Sequence, residues 1–370
     1  MGEEGDKLES QVDPAVTPDL FRQWRTPRFG CRNPERMNNP VWEWLIKSKL
    51  GAYAANQKFN EPSTSQVEPG WCFDRFGQSS TPLPDGRIIL IAGEHEDYYD
   101  ADFNIYNDVV IQHPDGEYDI YGYPSEIFPP TDFHSATLVG NTVVIIGSLG
   151  YPDQRKPGTT QVLILNLVTI SISSVQTSGS SPGWIHEHNA TLEESGHSIL
   201  VRGGKIDPGG EDASLVENID DWRLHLADWR WERLTERLWQ RWEFLRKDRR
   251  RNHLWEIQQA VWSRNHRWKK ELEEQLERLA QQLGSCPDLE LADQLFSPPL
   301  PHERVPGTEA EYNVVRIKLD GIVVRYVANA HSIQMTVEAT LPVVSVQKLT
   351  SDLCEKMGRL ENTTFEIKQL

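Results

Sequence analysis

Three stretches of this chain repeat one pattern of polar and β-branched positions. Gln78 to Gly93, His134 to Gly147 and His188 to Gly204 each open on a polar residue followed by small residues. Each then passes through a Gly, Asn or Asp turn and closes on a β-branched run ending in glycine. Their starts lie 56 and 54 residues apart, the spacing of repeated structural units. Each unit supplies a second strand pair: Tyr106–Ile111 with Tyr118–Tyr121, Thr160–Leu167 with Ile170–Ser173, and Asp221–Leu226 with Trp229–Leu234. The pattern therefore predicts three four-stranded units over residues 70–235.

Outside the repeats the period changes. Residues 1–38 hold four prolines among charges and read as an irregular leader. Residues 39–69 read as a helical N-terminal segment, opened by Asn39 as N-cap and Pro40 at the first helical position. In residues 236–296 apolar positions such as Leu254, Ile257, Val261, Leu272, Leu276, Leu279 and Leu283 are mostly three or four apart, so a helical segment is predicted. The proline-rich stretch 297–309 reads as a linker marking a domain boundary. Residues 310–370 read β-β-β-α-β, with Asp320-Gly321 as a hairpin turn between Val314–Leu319 and Ile322–Tyr326. The predicted fold class is mainly β with α additions: three blade-like units, a Trp/Arg-rich helical segment and a small C-terminal α+β domain.

The repeated units resemble the kelch family, whose blades carry a His/Arg-x-Ala-type opening, a hydrophobic strand ending in a Gly-Gly pair, and a later Trp. The third unit carries the resemblance best, through His188-Asn189-Ala190, Gly203-Gly204 and Asp228-Trp229-Arg230-Trp231. The other two depart from it, since Gly93 precedes Glu94 and Gly147 precedes Ser148. The resemblance covers residues 70–235 and implies a partial β-propeller of three blades that binds proteins. Three units are fewer than the ~4 to 8 of a closed propeller. The resemblance thus implies either two chains pairing as a homodimer that completes one ring, or an open arc capped by the flanking segments, which is the favoured form.

Charge narrows the function classes. The balance of 38 Lys and Arg against 55 Asp and Glu gives a net charge of −17, which disfavours nucleic acid and anionic membranes as partners. Four scattered cysteines without a Cys-x-x-Cys pair suggest no zinc knuckle and fit a reducing, cytoplasmic setting. Acids at the start of the chain and the lack of a long apolar run predict neither a secretory signal nor a membrane span.

Several clusters are candidates for chemistry or contact. The run Glu94, His95, Glu96, Asp97, Tyr98, Tyr99, Asp100 follows a strand and concentrates oxygen ligands, yet lacks the spacing and glycine of an EF-hand loop. A partner-binding loop is its better functional reading. His186-Glu187-His188 with His134 suggests a metal site, although the equivalent repeat positions of His134 and His188 point to a structural hydrogen bond. Gly179-Ser180-Ser181-Pro182-Gly183 fits a nucleophile-elbow spacing but sits in a polar loop. Residues 222–270 hold eight of the thirteen Trp residues with fourteen Arg and Lys against six Asp and Glu. That mixture suits internal packing, a protein partner, or stacking and phosphate contacts with single-stranded nucleic acid.

The expectation is a non-enzymatic protein-binding scaffold, with an inhibitor or immunity-like binder as one form of it. The expected contact residues are Glu94, His95, Glu96, Asp97, Tyr98, Tyr99, Trp184, His186, Trp239, Arg241 and Trp242, with no catalytic or metal residues and no cofactor. A carbohydrate-modifying or metal-dependent propeller enzyme is the alternative, since some kelch-like propellers are copper oxidases or sugar epimerases. Single-stranded nucleic-acid binding through the Trp/Arg-rich region is the third class.

Overall fold

A computed structural model describes residues 16–61, 69–95, 103–210, 214–306 and 313–370. The chain divides into two compact units, residues 1–236 and 237–370.

The first unit contains three antiparallel four-stranded meanders, each built in chain order. They are β1 Ser79–Pro82, β2 Ile88–Ile91, β3 Asp108–Gln112 and β4 Tyr118–Gly122; then β5 Ser135–Val139, β6 Thr142–Ile146, β7 Val162–Asn166 and β8 Ile172–Ser174; then β9 Asn189–Leu192, β10 Ser198–Arg202, β11 Trp222–His225 and β12 Arg230–Arg233. Period-two alternation decides how they stack. Ile89, Ile91, Val109 and Ile111 of the first sheet pack on Val143, Ile145, Leu163 and Leu165 of the second. The opposite face of the second sheet, Val144, Ile146 and Val162, packs on Ile199, Val201, Trp222, Leu224 and Trp231 of the third. A sheet covered on both sides needs apolar residues at consecutive positions, which explains the unbroken run Val143-Val144-Ile145-Ile146.

The two ends of the stack are finished differently. The outer face of the first sheet, Val110 and Ile120, is covered by the helices α1 Pro18–Trp24, α2 Pro40–Ser48 and α3 Ala52–Lys58 through Phe21, Val41, Trp42, Leu45 and Ala55. The outer face of the third sheet is polar. There Arg223 pairs with Glu193 at 2.9 Å and with Glu232 at 3.2 Å, and His225 meets Glu232 at 2.9 Å.

A second set of contacts ties the units at the starts of β1, β5 and β9. Gly77, Phe133 and Glu187 occupy equivalent positions and all have positive φ, 61°, 48° and 54°. Phe133 N–H donates to the Gly77 carbonyl at 2.9 Å, and Glu187 N–H donates to the Phe133 carbonyl at 2.8 Å. Alongside, Ser79 Oγ bonds His134 Nε2 and Ser135 Oγ bonds His188 Nε2, each at 2.8 Å.

Residues 16–38 correct the expectation of an irregular leader. Thr17 Oγ1 accepts from Leu20 N–H to cap α1, and Phe21 is buried by stacking on Phe59 at 4.3 Å and meeting Trp44 edge-on. Glu35–Arg36 adds a short strand beside β4.

The second unit is one antiparallel sheet under four helices. Its strands are β13 Gln240–Arg246, β14 Glu303–Val305, β15 Val314–Leu319, β16 Ile322–Ala328, β17 Ser332–Val337 and β18 Phe365–Gln369, in spatial order β14-β15-β16-β17-β13-β18. Ile333, Met335, Val337 and Phe244 meet α4 Leu254–Asn265, α5 Lys269–Leu283, α6 Leu289–Asp293 and α7 Val343–Glu361 in a single core. Two boundaries are thereby corrected. Residues 240–246 are not helical: they form a strand held between β17 and β18, with Phe244 opposite Ile333 and Ile367. The stretch 297–309 is not a domain boundary, because β14 within it pairs with β15 and the division between units falls after Glu236.

Candidate functional site

In each meander of the first unit the first strand begins, and the second ends, at the same end of the sheet. The long connections between second and third strands, residues 92–107, 147–161 and 203–221, therefore leave from one end in all three units. Glycine permits the exits. Gly93, Gly147 and Gly204 have φ of 93°, 73° and 82°, and a Cβ on Gly147 would lie 2.2 Å from the Ile185 carbonyl oxygen. Ala92 adopts φ 51° at the position that Gly203 holds in the third unit.

Side chains lock these connections together. Ile105 N–H donates to the Tyr151 hydroxyl at 2.9 Å, and Phe103 meets the Tyr151 ring edge-on at 5.9 Å. Partial burial raises the Tyr151 pKa, so it stays a neutral phenol. Arg155 donates to the carbonyls of Leu149 and Gly150 and to Asp207 Oδ2 at 3.3 Å, joining the second connection to the third. Trp184 Nε1 donates to the Leu149 carbonyl at 3.0 Å. Below them the buried Asp132 accepts Gly150 N–H at 2.6 Å and the Ser148 hydroxyl. The surface above is exposed at Phe76, Phe103 and residues 152–154.

Acids dominate the sequence around it, although Asp115, Glu117 and Asp119 belong to the β3–β4 hairpin at the opposite end of the sheet and Asp108 and Asp132 are buried. From Ile88 to Gln154 the sequence has twelve Asp and Glu and no Lys or Arg. The whole first unit carries 18 Lys and Arg against 36 Asp and Glu, while residues 237–370 carry 20 against 19. The acidity of the chain therefore belongs to the first unit.

The expected contact residues separate on this frame. Glu94 and His95 lie on the loop end in a two-residue strand paired with Asn104–Ile105, half-buried, with Glu94 bridged to Phe76. Glu96, Asp97, Tyr98 and Tyr99 lie outside the described residues. Trp184 and His186 are not contact residues: they are 6% and 1% exposed, because Trp184–His186 pairs with Lys205–Asp207 and turns both side chains inward. Trp239, Arg241 and Trp242 fall in the second unit and are half-buried, Trp242 packing against its core. Phe76, Phe103, Tyr151 and Arg155 escape the sequence reading. The signal that finds them is their equivalent placement after the second strand, or before the first, in the repeat.

Nε2 of His134 and of His188 is engaged by serine, and burial pushes their pKa values down to about 3 and about 4, leaving neutral rings. His186 Nδ1 lies 3.5 Å from Glu187 Oε1, and that carboxyl is held at about 2 by the His186 ring and then the Lys205 ammonium. Among the described residues no group of three or more His, Cys, Asp or Glu side chains is placed to hold a metal ion. At Gly179-Ser180-Ser181-Pro182-Gly183 a strand, Trp184–His186, follows where an elbow needs a helix.

A cavity of about 120 Å³ opens beside the first sheet, lined in part by Arg28, Phe29, Trp71, Tyr106 and Asp108. Its carboxylate is already committed. Arg75 donates to Asp108 through both terminal nitrogens at 2.5 and 2.9 Å, Trp71 Nε1 adds a bond at 2.8 Å, and the Arg75 guanidinium lies 3.5 Å from the centre of the Tyr106 ring. The Arg75 side chain is fully buried, so this pair is structural.

No protein-family model matches the chain, and no curated protein matches it. Among the described residues no helix is long and apolar enough to cross a membrane.

Proposed function

We propose that the first unit is a partial kelch-like propeller of three blades and that it is a protein-binding scaffold whose loop end receives a basic partner surface. One observation carries this reading: side chains interlock the long connections at one end of the three sheets, where Phe76, Phe103 and Asp153 are exposed, in a unit that carries 36 Asp and Glu against 18 Lys and Arg. Aromatics are enriched at interface hot spots, and a one-signed field steers an oppositely charged partner.

The arrangement also favours an open, capped arc over a ring completed by a second chain. Helices α1 to α3 already occupy the face of the first sheet that another blade would need, and the third sheet ends in paired charges. The solution mass then equals the 42.4 kDa of one chain, and a stable dimer would refute the capped arc. For binding, the test compares partners recovered from native lysate by the parent protein and by a Phe103→Ala/Asp153→Lys variant. A stoichiometric basic partner lost by the variant is expected. No such partner, or one retained by the variant, refutes the reading.

A further inference from the structure

The second unit leaves an aromatic stripe uncovered on α4. Trp255, Gln259, Trp262 and His266 recur at helical spacings of four, three and four, which places them on one face. Trp255 is 53% exposed, Trp262 42% and Trp268, at the start of α5, 51%. The rings are already ordered: Trp262 stacks on His266 at 4.1 Å and meets Trp268 edge-on at 4.6 Å. Exposed indoles are rare enough to require a reason, since each leaves a large apolar surface in water.

The surrounding charge supplies it. Residues 262–270 contain Arg264, Arg267, Lys269 and Lys270 and no Asp or Glu. Arg264 reaches Asp293 at 3.3 Å, and Lys270 lies 4.0 Å from Glu274 with both side chains exposed. Arg267 and Lys269 make no side-chain ion pair among the described residues and are exposed. The unit as a whole is close to neutral, so the acidity of the chain as a whole does not describe this face.

We propose that the face formed by Trp255, Trp262, His266 and Trp268 with Arg267 and Lys269 binds single-stranded nucleic acid. Flat rings beside unpaired cations match a polymer that alternates π-faced bases with phosphates. The two helix tryptophans are seven residues apart, about 10 Å along the axis, so the face spans a few nucleotides. An acidic peptide shares the charge but has no repeated flat face to stack on the indoles, and it serves as the competing probe.

The experiment titrates full-length protein with fluorescein-labelled oligo-dT and oligo-U, following anisotropy and tryptophan quenching at about 50 mM and about 200 mM salt. Binding that quenches tryptophan and weakens with salt is expected. Trp262→Ala and, separately, Arg267→Glu with Lys269→Glu should each weaken it about 10-fold, with thermal unfolding unchanged because these side chains are exposed. Three results overturn the proposal: no binding of either oligomer at the lower salt, full affinity retained by Trp262→Ala, or equal binding of poly-glutamate.

Discussion

His134 and His188 make the stability of the first unit acid-sensitive in a defined window. Both rings are buried with Nε2 bonded to a serine of the preceding unit, and their folded pKa values of about 3 and about 4 lie well below the ordinary 6.5. Below pH 6.5 the unfolded chain takes up protons that the folded chain refuses, so stability rises with pH. Their contribution is fully present above the unfolded value and is lost as pH falls from 6.5 toward the folded values. Each histidine loses about 2 kcal/mol between pH 7 and pH 5, or about 4 kcal/mol together, and any folded value of about 4 or below gives nearly the same loss. The carboxyls of Glu35 and Glu187, held at about 2, lose their contribution only below about 4.5, outside this window. The perturbation is His134→Gln with His188→Gln, since Gln78 occupies the equivalent position in the first unit and an amide can still bond the serine. Urea unfolding followed by tryptophan fluorescence at the two pH values should show the double variant losing about 4 kcal/mol less on acidification than the parent. If parent and variant lose the same amount, the rings are not buried neutral in the folded state and the argument fails.

Arg75→Met should destabilise the first unit by about 3–5 kcal/mol in denaturant unfolding, because it leaves the buried Asp108 carboxylate without its cation; Arg22→Met, at an exposed pair with Asp19, should cost far less. In the second unit Glu361 accepts from Arg246 at 2.6 Å and from the His253 N–H at 2.5 Å, joining β13, α4 and α7. Glu361→Gln should therefore cost about 1.5–3 kcal/mol, seen as faster amide exchange in β13 with β6 and β7 unaffected. Residues 1–236 and 237–370 produced separately should each unfold cooperatively; a fragment without a cooperative transition would refute the division into two units.

Much of the strand content could be read in advance, because period-two runs ending in glycine are a local signal. Val143 to Ile146 and the Asp320-Gly321 hairpin need no distant partner to be recognised. The failures share a cause. β13 pairs with strands about ninety and about one hundred and twenty residues away, and Arg241, Glu243 and Arg246 disguise its alternation, so only the finished sheet reveals it. Trp184 and His186 look like contact residues in sequence, yet the pairing partner at 205–207 turns them inward. Ala92 shows the converse: its left-handed backbone keeps the geometry of a Gly-Gly pair that the sequence has lost. The loop-end site was legible as an acidic run after β2 but not as a surface, since Tyr151 and Arg155 join it only through contacts between units.

The asymmetry of the three sheets bears on how such a chain can change length. The middle sheet is apolar on both faces and, apart from two hydrogen bonds between Asn33 and Ile172, packs on its two neighbours, so it is the module that duplicates with least conflict: a second copy of residues 134–187 presents matching faces on either side. Duplicating the third sheet would bury Arg223, Glu193 and Glu232 against β-branched side chains, and duplicating the first would strip its helices. The ends of the stack thus act as terminators and its centre as the point of growth, which makes repeat number a heritable variable independent of ring closure.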